Sequence, residues 1–217
     1  LYNAIESGNE AMIRMLLKNG ANVNTQDKYG ETLLHETVVL GREALAQLLL
    51  ENRADIDIRN REGYTPLMWA IFTNRNEMVK LLLENGADVD APDNYGQTPL
   101  HNAAKSGLEA IVRMLLENGA NVDAQEKNGY TPLMCAVNMH NLAMVKLLVE
   151  KGADMTMTDK NGYTALDYAK GEIKSYLEWE MKKQQLETAK EAHQAEACET
   201  VEQDVSASKQ EPKDVCV

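Results

Sequence analysis

The chain has 217 residues, a formal net charge of −12 and only 5% aromatic residues. That charge opposes a phosphate-binding surface, which depends on clustered Lys and Arg, so nucleic acid is excluded as the expected partner. No apolar run approaches the roughly 20 residues needed to cross a bilayer, and no membrane insertion is expected.

A period runs through the chain: Gly30, Gly63, Gly96, Gly129 and Gly162 are spaced by 33 residues, as are Thr32, Thr65, Thr98, Thr131 and Thr164. Leu1-Tyr2-Asn3-Ala4-Ile5 aligns with Leu100-His101-Asn102-Ala103-Ala104 three periods later, so the sequence opens inside a helix and reads as a fragment or a capping repeat. Residues 1–27 supply a helix pair closed by Gly20, with Met12, Ile13, Leu16 and Leu17 turned to the neighbour. Residues 28–60 diverge most. Leu33 stands where other copies have Pro, and Arg53 replaces the Gly that ends the second helix, where a left-handed non-Gly residue costs on the order of 1 kcal/mol. Either the neighbouring interfaces tolerate this drift or the copy is a weak joint in a nearly one-dimensional stack.

Residues 61–93, 94–126 and 127–159 form the regular middle, and the segment from Asp93 to Glu126 shows each signal clearly. Asp93-Asn94-Tyr95-Gly96 places a short acceptor first and a residue tolerant of positive φ fourth, as a β-turn favours. Thr98 is the expected N-cap and Pro99 fits the first helical position, where a missing N–H loses nothing. Leu100, Ala103 and Ala104 share one face of a short helix that Gly107 ends. Ile111, Val112, Leu115 and Leu116 give a second helix a wider apolar stripe, stopped at Gly119.

Residues 160–177 read as a terminal copy: Ala165 replaces Pro, Asp167 replaces His, and Gly171 comes early, leaving Ile173, Tyr176 and Leu177 to close the core. Residues 178–197 have high helix propensity and few apolar positions, mainly Trp179, Met181 and Leu186, and read as a charged helical extension. Residues 198–217 are polar and acidic without periodicity, which predicts disorder.

The motif Thr98-Pro99-Leu100-His101-Asn102-Ala103 resembles in full the Thr-Pro-Leu-His-x-Ala signature of the ankyrin repeat family, whose period is also 33. Thr65-Pro66-Leu67-Met68-Trp69-Ala70 and Thr131-Pro132-Leu133-Met134-Cys135-Ala136 match except at the His position, and the resemblance covers residues 1–177. The expected fold is therefore an all-α repeat, an ankyrin-repeat solenoid of helix-turn-helix units joined by short β-hairpin loops, with a disordered C-terminal tail. Residues 1–177 would hold about five repeats plus end caps, enough to fold without a partner.

Candidate chemistry is sparse, and no enzyme, metal or cofactor is expected. His35 and His101 occupy the fourth motif position, where the resemblance implies a side chain bonded to its helix start and the adjacent hairpin. His140 and His193 are isolated, and no two His fall at metal-ligand spacing. The three cysteines, Cys135, Cys198 and Cys216, have neither framework nor metal-type spacing; a reducing compartment, by default the cytoplasm, follows. Carboxylates such as Asp90, Asp123 and Asp154 will align in acidic rows, which read as a solvated face because they lack the compact oxygen-ligand loop of calcium sites. Of the eleven Met residues, Met12, Met68, Met78, Met114 and Met144 read as core filling, whereas Met139 points into a groove. Asn24 sits where some ankyrin proteins resemble substrates of an asparaginyl hydroxylase. Asp214-Val215-Cys216-Val217 loosely matches C-terminal carboxylate capture by a strand-adding domain.

The resemblance implies binding on a concave face made of inner helices and hairpin tips. Mapped onto this sequence, that face gives Leu40, Tyr64, Trp69, Phe72, Tyr95, Gln97, Lys105, Tyr130 and Met139 as candidate partner-binding residues. Phe72, the only Phe in the chain, forms the centre with Trp69, Leu40 and Tyr64, since exposed apolar clusters mark interaction sites. The competing reading packs Trp69 between helices and Tyr64 and Tyr130 along the hairpins. The leading function is a non-enzymatic, monomeric module that binds a protein partner. The alternative is a targeting or regulatory segment of a larger protein, an effector secreted into a host cell being one case, whose activity lies outside this chain.

Overall fold

The computed structural model describes the backbone of residues 8–207, and side chains for residues 8–190. Among the described residues there are eleven α-helices and no strand, only an isolated antiparallel bridge between Thr158 and Thr164. The chain divides into two compact units, residues 1–173 and 174–217.

The first unit holds α1 (Glu10–Lys18) and then four helix pairs: α2 (Leu33–Leu40) with α3 (Glu43–Glu51), α4 (Pro66–Phe72) with α5 (Asn76–Glu84), α6 (Pro99–Ser106) with α7 (Glu109–Glu117), and α8 (Pro132–Asn138) with α9 (Leu142–Glu150). The short α10 (Ala165–Tyr168) follows. Within this unit α2, α4, α6, α8 and α10 pack in series as an inner row, and α3, α5 and α7 pack in series as an outer row. Neither row can bury its apolar stripe alone, so the core is the seam between them. Leu67, Met68 and Ile71 of α4 are fully buried, as are Met78, Val79 and Leu82 of α5. Each such side chain contributes about 1.5–3 kcal/mol by leaving water. Met12 departs from this pattern: it is 44% exposed, whereas its equivalents Leu45, Met78, Ile111 and Met144 are buried. In α1 the buried stripe is reduced to Ile13, and residues 1–7 lie outside the described residues.

Every inner helix begins at the expected threonine. Thr65 and Thr131 accept the N–H of Met68 and Met134, each at 3.3 Å. Thr32, Thr98 and Thr164 form reciprocal capping boxes with His35, His101 and Asp167. The turn between paired helices needs a left-handed residue, supplied by Gly41 and Gly107 but also by Asn74 (φ 52°) and His140 (φ 55°). Arg53 takes the left-handed conformation expected of it, at φ 64°.

The hairpins are tight loops rather than paired strands. In each, a polar side chain accepts backbone N–H groups two and four residues on; Asp93 Oδ1 receives Tyr95 and Gln97, both at 2.8 Å. Consecutive tips are then joined by backbone bonds, Arg61 N–H to Tyr29 O, Lys127 N–H to Tyr95 O and Lys160 N–H to Asn128 O. This close approach explains the periodic glycine: a Cβ on Gly30 would lie 2.9 Å from Arg61 N, besides meeting a φ of 80°. On the other edge the acidic row is a second ladder. Asn24, Asp57 and Asp123 accept the N–H of Asp55, Asp88 and Asp154 at 2.8, 3.0 and 2.8 Å, and Asp90 accepts that of Asn121.

The helix α11 (Gly171–Ala207) begins at the early glycine and continues past residue 197. It therefore takes in the whole expected extension and ten residues of the tail; residues 208–217, with the Asp214–Val217 motif, lie outside the described residues. Ile173 and Leu177 are buried, whereas Trp179 and Leu186 are exposed.

Candidate functional site

Four of the nine candidate residues concern the α2–α4 region. Tyr64 on a hairpin tip and Trp69 and Phe72 on α4 form an edge-to-face triangle, with ring centroids 6.2 Å (Tyr64–Trp69), 5.0 Å (Tyr64–Phe72) and 5.9 Å (Trp69–Phe72) apart. This geometry sets the positive edge of one ring against the negative face of another. The cluster is not core: Phe72 is 40% exposed and Tyr64 and Trp69 are half-buried. Leu40, 37% exposed, ends the neighbouring inner helix α2. Trp69 combines both sequence readings, since its indole Nε1 is fully buried and has no hydrogen-bond partner.

A second set comes together one and two repeats on. Gln97, Lys105, Tyr130 and Met139 line a recess of about 330 Å3 between the α6 and α8 repeats, along with Glu126, Asn128, Cys135 and Asn138. Phe72 and Lys105 are the same repeat position, 33 residues apart, so one face changes from aromatic to cationic between adjacent helices. Tyr95 is 61% exposed on its own tip and lines neither cluster.

Burial favours the neutral form of His35, His101 and Cys135. Burial lowers the pKa of His101, partly offset by its bond to the Tyr130 carbonyl, and does the same to His35, which bonds the Tyr64 carbonyl. Both rings are fully buried with both nitrogens engaged, at Thr98 and Tyr130 and at Thr32 and Tyr64. Burial pushes the Cys135 thiol up to about 11, so it is a protonated, weak nucleophile at neutral pH. Among the described residues no group of three or more His, Cys, Asp or Glu is placed to hold a metal ion.

Sequence reasoning missed Tyr168. Its ring stacks on Tyr130 at 5.5 Å, and its hydroxyl donates to Asp159 Oδ2 at 2.6 Å while accepting from the Tyr130 hydroxyl at 3.1 Å. The resulting bond holds the Asp159 carboxyl below its ordinary range. Tyr168 ends the short α10, where the motif has already broken down, so no periodic signal marked it.

The serial inner helices, threonine caps and joined hairpins agree with the family profiles that match the chain. One described as Ankyrin repeats (3 copies) matches residues 1–60 and 53–126, and one described as Ankyrin repeats (many copies) matches residues 115–169. The chain belongs to the ankyrin repeat family. Ankyrin repeats are generally protein–protein interaction modules without catalytic activity, and these repeats supply such a scaffold. No curated protein matches the chain. Among the described residues no helix is long and apolar enough to cross a membrane.

Proposed function

We propose that this ankyrin chain is a monomeric, non-enzymatic module that binds a protein partner in the groove of inner helices and hairpin tips. The observation that supports it most directly is the partly exposed Tyr64, Trp69 and Phe72 cluster, with Leu40 on the next inner helix. A Phe left 40% exposed keeps apolar area that folding does not cover and that binding gains from covering. The helices on either side are fixed by caps and tip-to-tip bonds, so little ordering is needed when a partner arrives.

Quantitative pulldown from lysate with the intact chain and a Trp69→Ala, Phe72→Glu variant tests this, after circular dichroism has established that the variant is folded. A protein recovered by the first and lost with the second supports the groove. Equal recovery with both overturns it and moves the site elsewhere on the chain.

A further inference from the structure

The aromatic part of the groove differs in charge from the part beside it. Glu31 lies on a hairpin tip with Asp27, Glu36 and Glu62 near it, and burial followed by these like charges raises its carboxyl pKa, against an opposing hydrogen bond from Asn60. Glu62 and Asp93 act on the Tyr64 hydroxyl in the same sense, after burial. Lys28 and Arg61 also stand on these tips, but the Lys28 ammonium lies over the Tyr29 ring at 4.8 Å. At the far end of α2, the Arg75 guanidinium donates to the Val39 carbonyl at 3.1 Å. One period later the face carries Lys105 and amide side chains, with the single carboxylate Glu126 among them.

We propose that the patch at Leu40, Tyr64 and Phe72 receives a basic segment of the partner, in which a bulky apolar side chain is flanked by Arg or Lys. This deepens the groove reading above and rests on it. The apolar anchor covers Phe72 and Leu40, while the adjacent cation meets Glu36 and Glu62 and the outer ring faces, whose negative quadrupole attracts it. The chain's net charge of −12 acts in the same direction, drawing a basic segment in before contact is made. An acidic segment would meet like charge at the tip side of the patch.

The test is selection of a random linear peptide library displayed on phage against the full chain, with the recovered peptides synthesised and measured by fluorescence polarisation. The expected peptides join an aromatic or aliphatic residue to Lys or Arg and are lost with Phe72→Glu. They should bind about tenfold more weakly to a Glu36→Lys, Glu62→Lys variant. Added salt should weaken them too, since screening sets in over about 8 Å at physiological ionic strength. Peptides lost with Phe72→Glu but indifferent to the charge reversal would leave the groove standing and overturn the basic segment. Binders unaffected by Phe72→Glu, or no binders at all, would count against both.

Discussion

His101 ties its own helix start to the next repeat: Thr98 N–H donates to its Nδ1 at 3.1 Å, and its Nε2 meets the Tyr130 carbonyl at 2.9 Å. An acceptor Nδ1 requires the proton on Nε2, so the neutral ring is fully satisfied and a second proton would face the Thr98 N–H. The folded pKa therefore lies below the unfolded one, in agreement with the burial-driven lowering at His101 and His35. Stability is fully present above about pH 6.5 and falls as acid protonates the unfolded chain first. Glu31 and Asp57, whose pKa values are raised, act in the opposite sense. Denaturant melts from pH 7.5 downward should show midpoints falling below about pH 6.5, and a flatter profile in a His35→Gln, His101→Gln variant. An unchanged profile would remove the histidines as its source.

The left-handed residues should respond to glycine in a defined order. Arg53→Gly and His140→Gly relieve a side-chain clash at positive φ and should each raise stability by about 0.5–1 kcal/mol. Asn74→Gly should gain less, because Asn tolerates this conformation. Hydrogen exchange on Arg53→Gly also tests whether residues 28–60 form a weak joint: protection rising there and not elsewhere would locate one, and uniform protection before and after would remove the idea.

Trp69→Phe removes a buried donor that has no partner. Leaving such a donor unpaired costs about 1–3 kcal/mol, and loss of ring contacts opposes the gain. The net change should stay within about 1 kcal/mol, while Trp69→Ala should cost more, yet less than the cost of about 3–5 kcal/mol for a fully buried Trp, because the ring is half-buried. A loss for Trp69→Phe as large as for Trp69→Ala would show that the indole N–H contributes to the fold.

Tyr168→Phe takes away the hydroxyl that donates to Asp159. The Asp159 carboxyl should then titrate closer to the ordinary aspartate range, as read by NMR of its side-chain carbon. Because the native carboxyl is held low, its contribution is present above the unfolded pKa and lost as pH falls through the folded one. The variant should therefore lose stability at neutral pH and less at low pH. An unmoved titration would assign the lowered pKa to the backbone N–H groups of Asn161 and Tyr163 instead.

The repeating scaffold was readable because its signals are local. Thr65 as cap, Pro66 as first helical residue and Gly63 at the tip depend on the backbone of a few neighbours, and recurrence in register removes ambiguity. The candidate cluster was readable in part, since Tyr64, Trp69 and Phe72 fall at related positions within one repeat. What was not legible depends on contacts between repeats. His140 looked isolated by type, yet it occupies the position of Gly41 and Gly107 because the turn demands that conformation. Glu126 and Cys135 join the recess only through packing of α8 beside α6, and the solitary Trp69 donor is a matter of neighbours, not spacing.

The ladders on the two edges have fixed offsets. Side-chain bonds link residues 31 apart, as in Asp88 to Asp57 and Asp154 to Asp123, and tip bonds link residues 32 apart, as in Asn94 to Glu62 and Lys160 to Asn128. Excision or duplication of one whole period therefore delivers each donor to an acceptor of the same kind, whereas a change of other length within a hairpin tip or a helix shifts donors and acceptors out of register there. The chain is thus open to growth and shortening by recombination in whole units, without inventing a new interface at the junction.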